Sequence, residues 1–520
     1  MSKRFPGRRL SWVRLTVLAL VVGGLGYAGY SSVRALQDDW VAEESTPWFS
    51  AYVDATATPS YEFEVQTGDD QKTVTLSFIV AASPTTCEPT WGTHYTLDEA
   101  AADLDLDRRI ARHVRGGGEA IVSFGGLFNA ELALACDSVD ELADQYRAII
   151  DRYDLTTIDL DIEGDALADT VSRERRADAI AQLQDEQRDA GRQPVAVWLT
   201  LPVAHDGLTG DGVSLVQEML DAGVALAGVN VMTMNFTGDD AAADPGAVAI
   251  TALEGTHRQL RAIYADRDQP MGAATAWRMV GATPMIGQND VTAEVFGLDD
   301  AAALNAFAIE KGLGRMSMWS ANRDQTCAEA YPDWQIVSDA CSGIQQNGQR
   351  FGEVLAAGFE GSPAQAADAP SPTPDATSID DLVDDPETSP YPIWDENASY
   401  PADTRVVWRR SVYVAKWWSS GDQPDNPALS TAENPWRLIG PVLDGETPIP
   451  EVRLPEDFYP VWKEETVYTR AERIMLDGVA YEARWWTQGD NPAAGEQDPG
   501  NSPWRRLTSE EIEKLLTAED

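Results

Sequence analysis

Across positions 49–360 of this 520-residue chain, short apolar, β-branched runs alternate with longer stretches whose apolar residues recur every three or four positions. The runs at 49–54, 74–81, 120–124, 157–163, 195–201, 228–235, 280–287 and 315–319 have the length and composition of strands. Between them, 139–153, 174–191 and 299–312 carry the spacing of amphipathic helices. Eight such repeats in about three hundred residues predict an α/β fold, a (β/α)8 TIM barrel. The main rival is an open doubly wound sheet, and against it no GxGxxG or GxxxxGK[ST] phosphate loop follows the first strand.

After the barrel, expected over 41–360, the pattern changes. Positions 361–390 hold few large apolar side chains and many Pro, Ala, Ser and Asp, which is the composition of a disordered linker. Beyond it Trp394 recurs as Trp462, Trp417 as Trp485 and Trp436 as Trp504, at a constant offset of 68 positions. Two small β modules follow from this repeat, over 391–442 and 443–510. Each has a tryptophan pair ahead of a Gly-Asp turn, Trp417–Trp418 and Trp485–Trp486. Sugar rings present flat C–H faces that lie well on an indole, although a domain this small also needs Trp for its own core.

The segment 157–163 carries the most chemistry. With a side-chain period of two, Asp159, Asp161 and Glu163 project to one face of the strand, and Ile158, Leu160 and Ile162 to the other. In a barrel the apolar row packs on the helices, so the acidic row points inward, where an unpaired carboxylate is costly. Its last member reaches the C-terminal mouth, where barrel active sites sit. Three close carboxylates do not all ionise easily, so at least one keeps its proton and can act as a general acid at neutral pH. The plainer alternatives are an exposed edge strand with solvated acids or a calcium site, which needs turn-forming spacing instead.

These acids match the last three positions of the DxxDxDxE signature of glycoside hydrolase family 18, with Thr156 at the first, and the chain resembles that family elsewhere. Ser123–Gly126 resembles its SxGG segment on the third strand. Asn230–Asn235 resembles the Met-x-Tyr-Asp or Met-x-Met-Asp segment on the sixth, and Met318-Trp319-Ser320 the eighth. The resemblance implies a chitinase without metal or organic cofactor. Glu163 would protonate the glycosidic oxygen. Asp161 would orient the substrate's acetamido group, whose carbonyl attacks the anomeric carbon, and Asp159 would share hydrogen bonds with Asp161. Trp319, Asn235, Met234, Ser123 and Tyr52 are the substrate-binding residues expected in the barrel. Asn235 and Met234 stand where many relatives have Asp and Tyr, which bears on rate or pH optimum. The modules resemble family 5/12 carbohydrate-binding modules, which bind chitin, with Trp417, Trp418, Trp485 and Trp486 as the platform. Two rival readings are a non-catalytic chitin lectin, against which Glu163 argues, and an endo-β-N-acetylglucosaminidase acting on glycans or peptidoglycan, against which the modules argue.

Composition adds three points. A formal net charge of −46 would repel phosphate backbones, which argues against a nucleic-acid partner. Arg4, Arg8, Arg9 and Arg14 precede an uncharged stretch over 15–33, so residues 1–40 read as a signal peptide or an N-terminal membrane anchor. The rest of the chain is then expected outside the cell, touching membrane only through that segment. Four cysteines allow two disulfides in three connectivities, and Cys87–Cys136 with Cys327–Cys341 is expected, each pair linking loops of neighbouring βα units. With 4 histidines and no CxxC, a zinc site has few ligands to draw on.

Overall fold

The computed structural model describes residues 46–65, 68–236, 244–329, 336–363, 383–426, 429–450, 453–455, 457–497 and 501–517. The segment 1–40 lies outside them, as does 364–382 of the expected linker. The chain divides into two compact units near residue 372.

In the first unit all eight predicted strands form: β1 Trp48–Asp54, β2 Thr73–Ser83, β3 Glu119–Gly125, β4 Thr157–Asp161, β5 Ala196–Ala204, β6 Leu226–Met232, β7 Val280–Thr283 and β8 Arg315–Met318. Each pairs in parallel with the next, and β8 pairs with β1, so the sheet closes on itself. The predicted helices form as Val139–Tyr153, Thr170–Asp189 and Leu298–Lys311. Their apolar faces, with Ile158, Leu160 and Ile162 of β4, make one continuous core between strands and helices. Burial of that shell supplies the main driving force, at roughly 25 cal/mol per Å² of apolar surface.

Both expected disulfides are present. Cys87, on the strand Thr86–Trp91 after β2, joins Cys136 in the loop after β3, as neighbouring βα loops should. Cys327–Cys341 departs from the stated reason, because both cysteines lie in the single connection that follows β8.

The second unit repeats itself strand for strand. Ser399–Tyr400, Arg405–Trp408, Ser411–Ala415 and Ser419–Ser420 in the first copy return as Val467–Tyr468, Arg473–Leu476, Val479–Ala483 and Thr487–Gln488. A final strand, Trp436–Pro441 or Trp504–Arg506, completes a three-stranded antiparallel sheet in each. Two boundaries move. The first unit continues past 360, since the Gly361 N–H donates to the Pro47 carbonyl at 2.8 Å. The first module begins before 391, since Asp384 accepts hydrogen bonds from the Arg409 and Arg410 N–H groups at 2.8 and 2.6 Å. Beyond the repeat, a helix Ser509–Thr517 caps the chain, and its Ile512 packs with Leu454, Met475, Ala480 and Leu507. This helix has no counterpart after the first copy among the described residues.

Candidate active site

The inward row of β4 meets inward rows from across the barrel. Asp159 is fully buried, and four donors reach its two oxygens. Arg315 Nη1 of β8 at 2.5 Å and Thr200 Oγ1 of β5 at 2.7 Å bind Oδ1. Ser123 Oγ of β3 at 2.7 Å and Tyr52 Oη of β1 at 2.9 Å bind Oδ2. The Arg315 guanidinium is itself fully buried and stacked among the rings of Trp48, Tyr52 and Trp198. An isolated charge at this depth would be prohibitive, so each ion depends on the other and on the surrounding donors. The expected sharing of hydrogen bonds between Asp159 and Asp161 is therefore absent among the described residues. Asp159 is saturated, and it acts on Asp161 through its charge.

Asp161 lies one row nearer the mouth. Its Oδ1 is buried with no hydrogen-bond partner among the described residues. Burial, then the charge of Glu163, then that of Asp159 push its carboxyl well above the usual range, with Arg315 opposing them. Gly125 of β3 packs on this residue with φ 108°, and a Cβ there would sit 2.1 Å from the Asp161 carbonyl oxygen. That close approach is the physical reason for glycine in this part of the Ser123–Gly126 segment.

Glu163 follows the end of β4 with extended backbone, φ −143° and ψ 177°, so the alternation of the strand carries on to it. It starts the short helix Gly164–Ala168 without capping it, which leaves its carboxyl for the pocket. Burial first and the charge of Asp290 second push that carboxyl up to about 7. A carboxylic acid that keeps its proton to neutrality can donate it to a leaving group.

Asp161 and Glu163 share a cavity of about 480 Å³ with Tyr52, Met234, Asn235 and Trp319, a size suited to a small ligand or a sugar. Trp319 stacks on Phe78 with centroids 5.5 Å apart and planes 18° apart, and it lies 6.0 Å from the Tyr52 ring. Tyr52 thus lines the pocket and holds Asp159 at once. Ser123 is corrected: it is fully buried behind Asp159 and does not line the pocket. Its register explains this, since Ser123 pairs with Asp159, a row below Asp161.

Sequence reasoning missed Arg315, Thr200, Thr283 and Asp290, and it named Asn230 in the sixth-strand segment without giving it a role. Asn230 Nδ2 donates to Thr200 Oγ1 at 3.0 Å and Thr283 Oγ1 at 2.7 Å, extending the network round the barrel. The available signal was polarity at inward positions of otherwise apolar strands, as in the alternation Arg315, Ser317, Trp319.

In the second unit, Trp436 and Trp504 are core residues whose Nε1 groups donate to the carbonyls of Asp422 and Asp490 at 2.8 and 2.9 Å. Trp417, Trp485 and Trp486 are 44, 42 and 62% exposed, and Trp418 is half-buried. Lys416 Nζ stands 4.6 Å from the Trp417 ring centre, and the Arg484 guanidinium carbon 5.1 Å from that of Trp485. A cation therefore covers one face of the first indole in each pair.

No protein-family model matches the chain. A probable bifunctional chitinase/lysozyme of Escherichia coli (strain K12) is 37% identical over 257 residues, which are 48% of this chain and 28% of that protein. Endochitinase 11 of Metarhizium anisopliae is 35% identical over 261 residues, 49% of this chain and 48% of that protein. The chain thus spans less than half the length of either relative. Among solved structures, active domain 2 of a chitinase from Pyrococcus furiosus is 28% identical, with 61% of this chain and 98% of that one covered and a TM-score of 0.51. In sequence and in fold the barrel is thus similar to chitinases.

Proposed function

We propose that this protein is an extracellular chitinase that cleaves β-1,4 linkages between N-acetylglucosamine units with retention of configuration. The observation that carries the reading is one pocket holding both Asp161, with a buried and unclaimed Oδ1, and Glu163, with a carboxyl protonated to about pH 7. Glu163 gives its proton to the glycosidic oxygen as the bond to the anomeric carbon breaks. The substrate's acetamido oxygen attacks that carbon, and Asp161 accepts a hydrogen bond from the acetamido N–H. A water then opens the resulting ring, with the Glu163 carboxylate as its base. Trp319 offers a flat apolar surface to the sugar at this point.

In the same reading, the N-terminal segment exports or tethers the chain and the tandem modules hold it on insoluble chitin. Tethering raises the local concentration of substrate without new contacts at the pocket. Proton NMR of the first products from soluble chito-oligosaccharides is expected to show the β anomer before mutarotation. A first-formed α anomer would exclude retention. Binding without turnover would leave a lectin, and turnover of peptidoglycan alone would move the substrate.

A further inference from the structure

The pocket holds an acid that the chemistry proposed above does not use. Asp54 ends β1 and lines the cavity together with Asp161, Glu163 and Trp319. It stands two positions after Tyr52, whose hydroxyl reaches Asp159 inside the barrel, so strand alternation turns Asp54 inward as well, one row nearer the mouth. The register of the closed sheet fixes its neighbours. On one side Asp54 pairs with Ser77, the residue before Phe78, and on the other Ala51 pairs with Met318, the residue before Trp319. Phe78 and Trp319 are the stacked rings of the pocket. Two residues mount Asp54. The buried Asn322, in the turn Ala321–Arg323 after β8, closes on its backbone: Asn322 Oδ1 accepts from the Asp54 N–H at 2.9 Å, and Nδ2 donates to the Asp54 carbonyl at 3.1 Å. Thr56 takes one carboxyl oxygen, Asp54 Oδ1, through its N–H at 2.9 Å and its Oγ1 at 2.8 Å. The other oxygen, Oδ2, has no hydrogen-bond partner among the described residues.

We propose that Asp54 is a further substrate-binding residue, whose Oδ2 accepts a hydrogen bond from a hydroxyl of the sugar that lies on Trp319. The inference rests on the function proposed above and adds a polar contact to the same site. An indole face holds a sugar ring through its C–H groups but leaves the ring free to turn in its own plane. One directed acceptor at the ring edge removes that freedom and fixes the sugar for reaction. A carboxylate suits the task, because it only accepts and its bonds from hydroxyls are short and charge-assisted. The mount made by Asn322 and Thr56 holds Asp54 before substrate arrives, so little is lost in ordering it on binding. No side-chain ammonium or guanidinium competes for Oδ2, since neither Lys nor Arg lines the pocket among the described residues. The pocket acids outside β1 and β4 are placed differently. Asp290 Oδ2 already takes the Asn235 amide at 3.0 Å, and Asp339 is exposed in the connection after β8.

The test has two arms. The first compares hydrolysis of a soluble N-acetylglucosamine tetramer by the full chain and by Asp54→Asn. The amide oxygen of Asn still takes both Thr56 hydrogens, and Asn322 holds only the backbone, so the turn survives while Oδ2 gives way to a donor. The variant is expected to lower kcat/KM about tenfold, at the melting temperature of the unaltered chain. The second arm is a crystal structure of Glu163→Gln with the tetramer, which decides if Asp54→Asn does not fold. It is expected to place a hydroxyl oxygen of the sugar on Trp319 about 2.5–3.0 Å from Asp54 Oδ2. An unchanged kcat/KM in folded Asp54→Asn, a pocket without sugar, or a sugar that leaves Asp54 Oδ2 unbonded overturns the proposal. If the unaltered chain cleaves no N-acetylglucosamine oligomer, the function proposed above falls, and the contact at Asp54 in the crystal decides this inference by itself.

Discussion

The barrel interior and the tandem modules both carry many aromatic and polar side chains, and they use them in opposite ways. In the barrel, Tyr52, Thr200, Ser123 and Arg315 are buried and converge on Asp159, and that network fixes the row from which Asp161 and Glu163 reach the pocket. In each module the buried indoles, Trp436 and Trp504, serve the core, and the paired indoles stand at the surface with a cation over the first. Keeping a carboxyl protonated above its ordinary range requires a site that water does not fill, and burial does this for Asp161 and Glu163. Adsorbing to a surface requires only accessible flat area, which small domains expose readily.

The largest expected effect tests the chemical side of that contrast. Glu163→Gln should lower oligosaccharide hydrolysis by about 10²–10⁴-fold, the usual worth of a general acid, while chitin adsorption stays unchanged. In the unaltered protein, activity should fall as pH rises through about 7, where Glu163 loses its proton. The same variant should be stabilised, with a definite pH dependence. Glu163 has a folded-state pKa raised above its unfolded value, so the native state holds the extra proton between about 4.5 and 7. Stability is therefore lost over that interval as pH rises, and the penalty is complete above it. The melting temperature of Glu163→Gln should exceed that of the original at pH 8 by a few degrees, about 2–4 °C per kcal/mol for a domain of this size, and the gap should close near pH 4. A gap independent of pH would show that Glu163 is not held protonated.

Next in size is the buried pair. Arg315→Met leaves Asp159 charged and without its ion at zero exposure, and should cost about 3–5 kcal/mol in thermal or urea unfolding. Adding Asp159→Asn should recover part of the loss, because the stranded charge goes with it. No recovery would mean that packing of Arg315 among Trp48, Tyr52 and Trp198 outweighs the ion pair.

The smallest effects belong to the modules. Trp486→Ala, which removes the most exposed indole of the two pairs, should weaken adsorption to chitin about fivefold, on the order of 1 kcal/mol for one ring. Trp417→Ala should do less, since Lys416 already covers one of its faces. Equal adsorption by both variants and the unaltered chain would break the comparison by showing that these surfaces do something else.

Much of this was legible in the chain. Eight strands, their order, the acidic face of β4 and the module repeat all follow from local periodicity, because side-chain alternation and repeat spacing are properties of neighbouring residues. Ser123 shows where such reading stops: the motif placed it at the pocket, but its register with Asp159 put it a layer below. The connection after β8 likewise closed a disulfide on itself, a choice that cysteine positions alone left open.

By itself, then, the sequence determined that Asp159, Asp161 and Glu163 form one inward row and that the tryptophans recur in two copies. Tertiary structure alone decided which partners those groups meet. Arg315 of β8 lies 156 positions from Asp159 of β4, and the two come together only when the sheet closes. The energies of buried charges depend on such meetings across the barrel, where the dielectric is low and every partner counts.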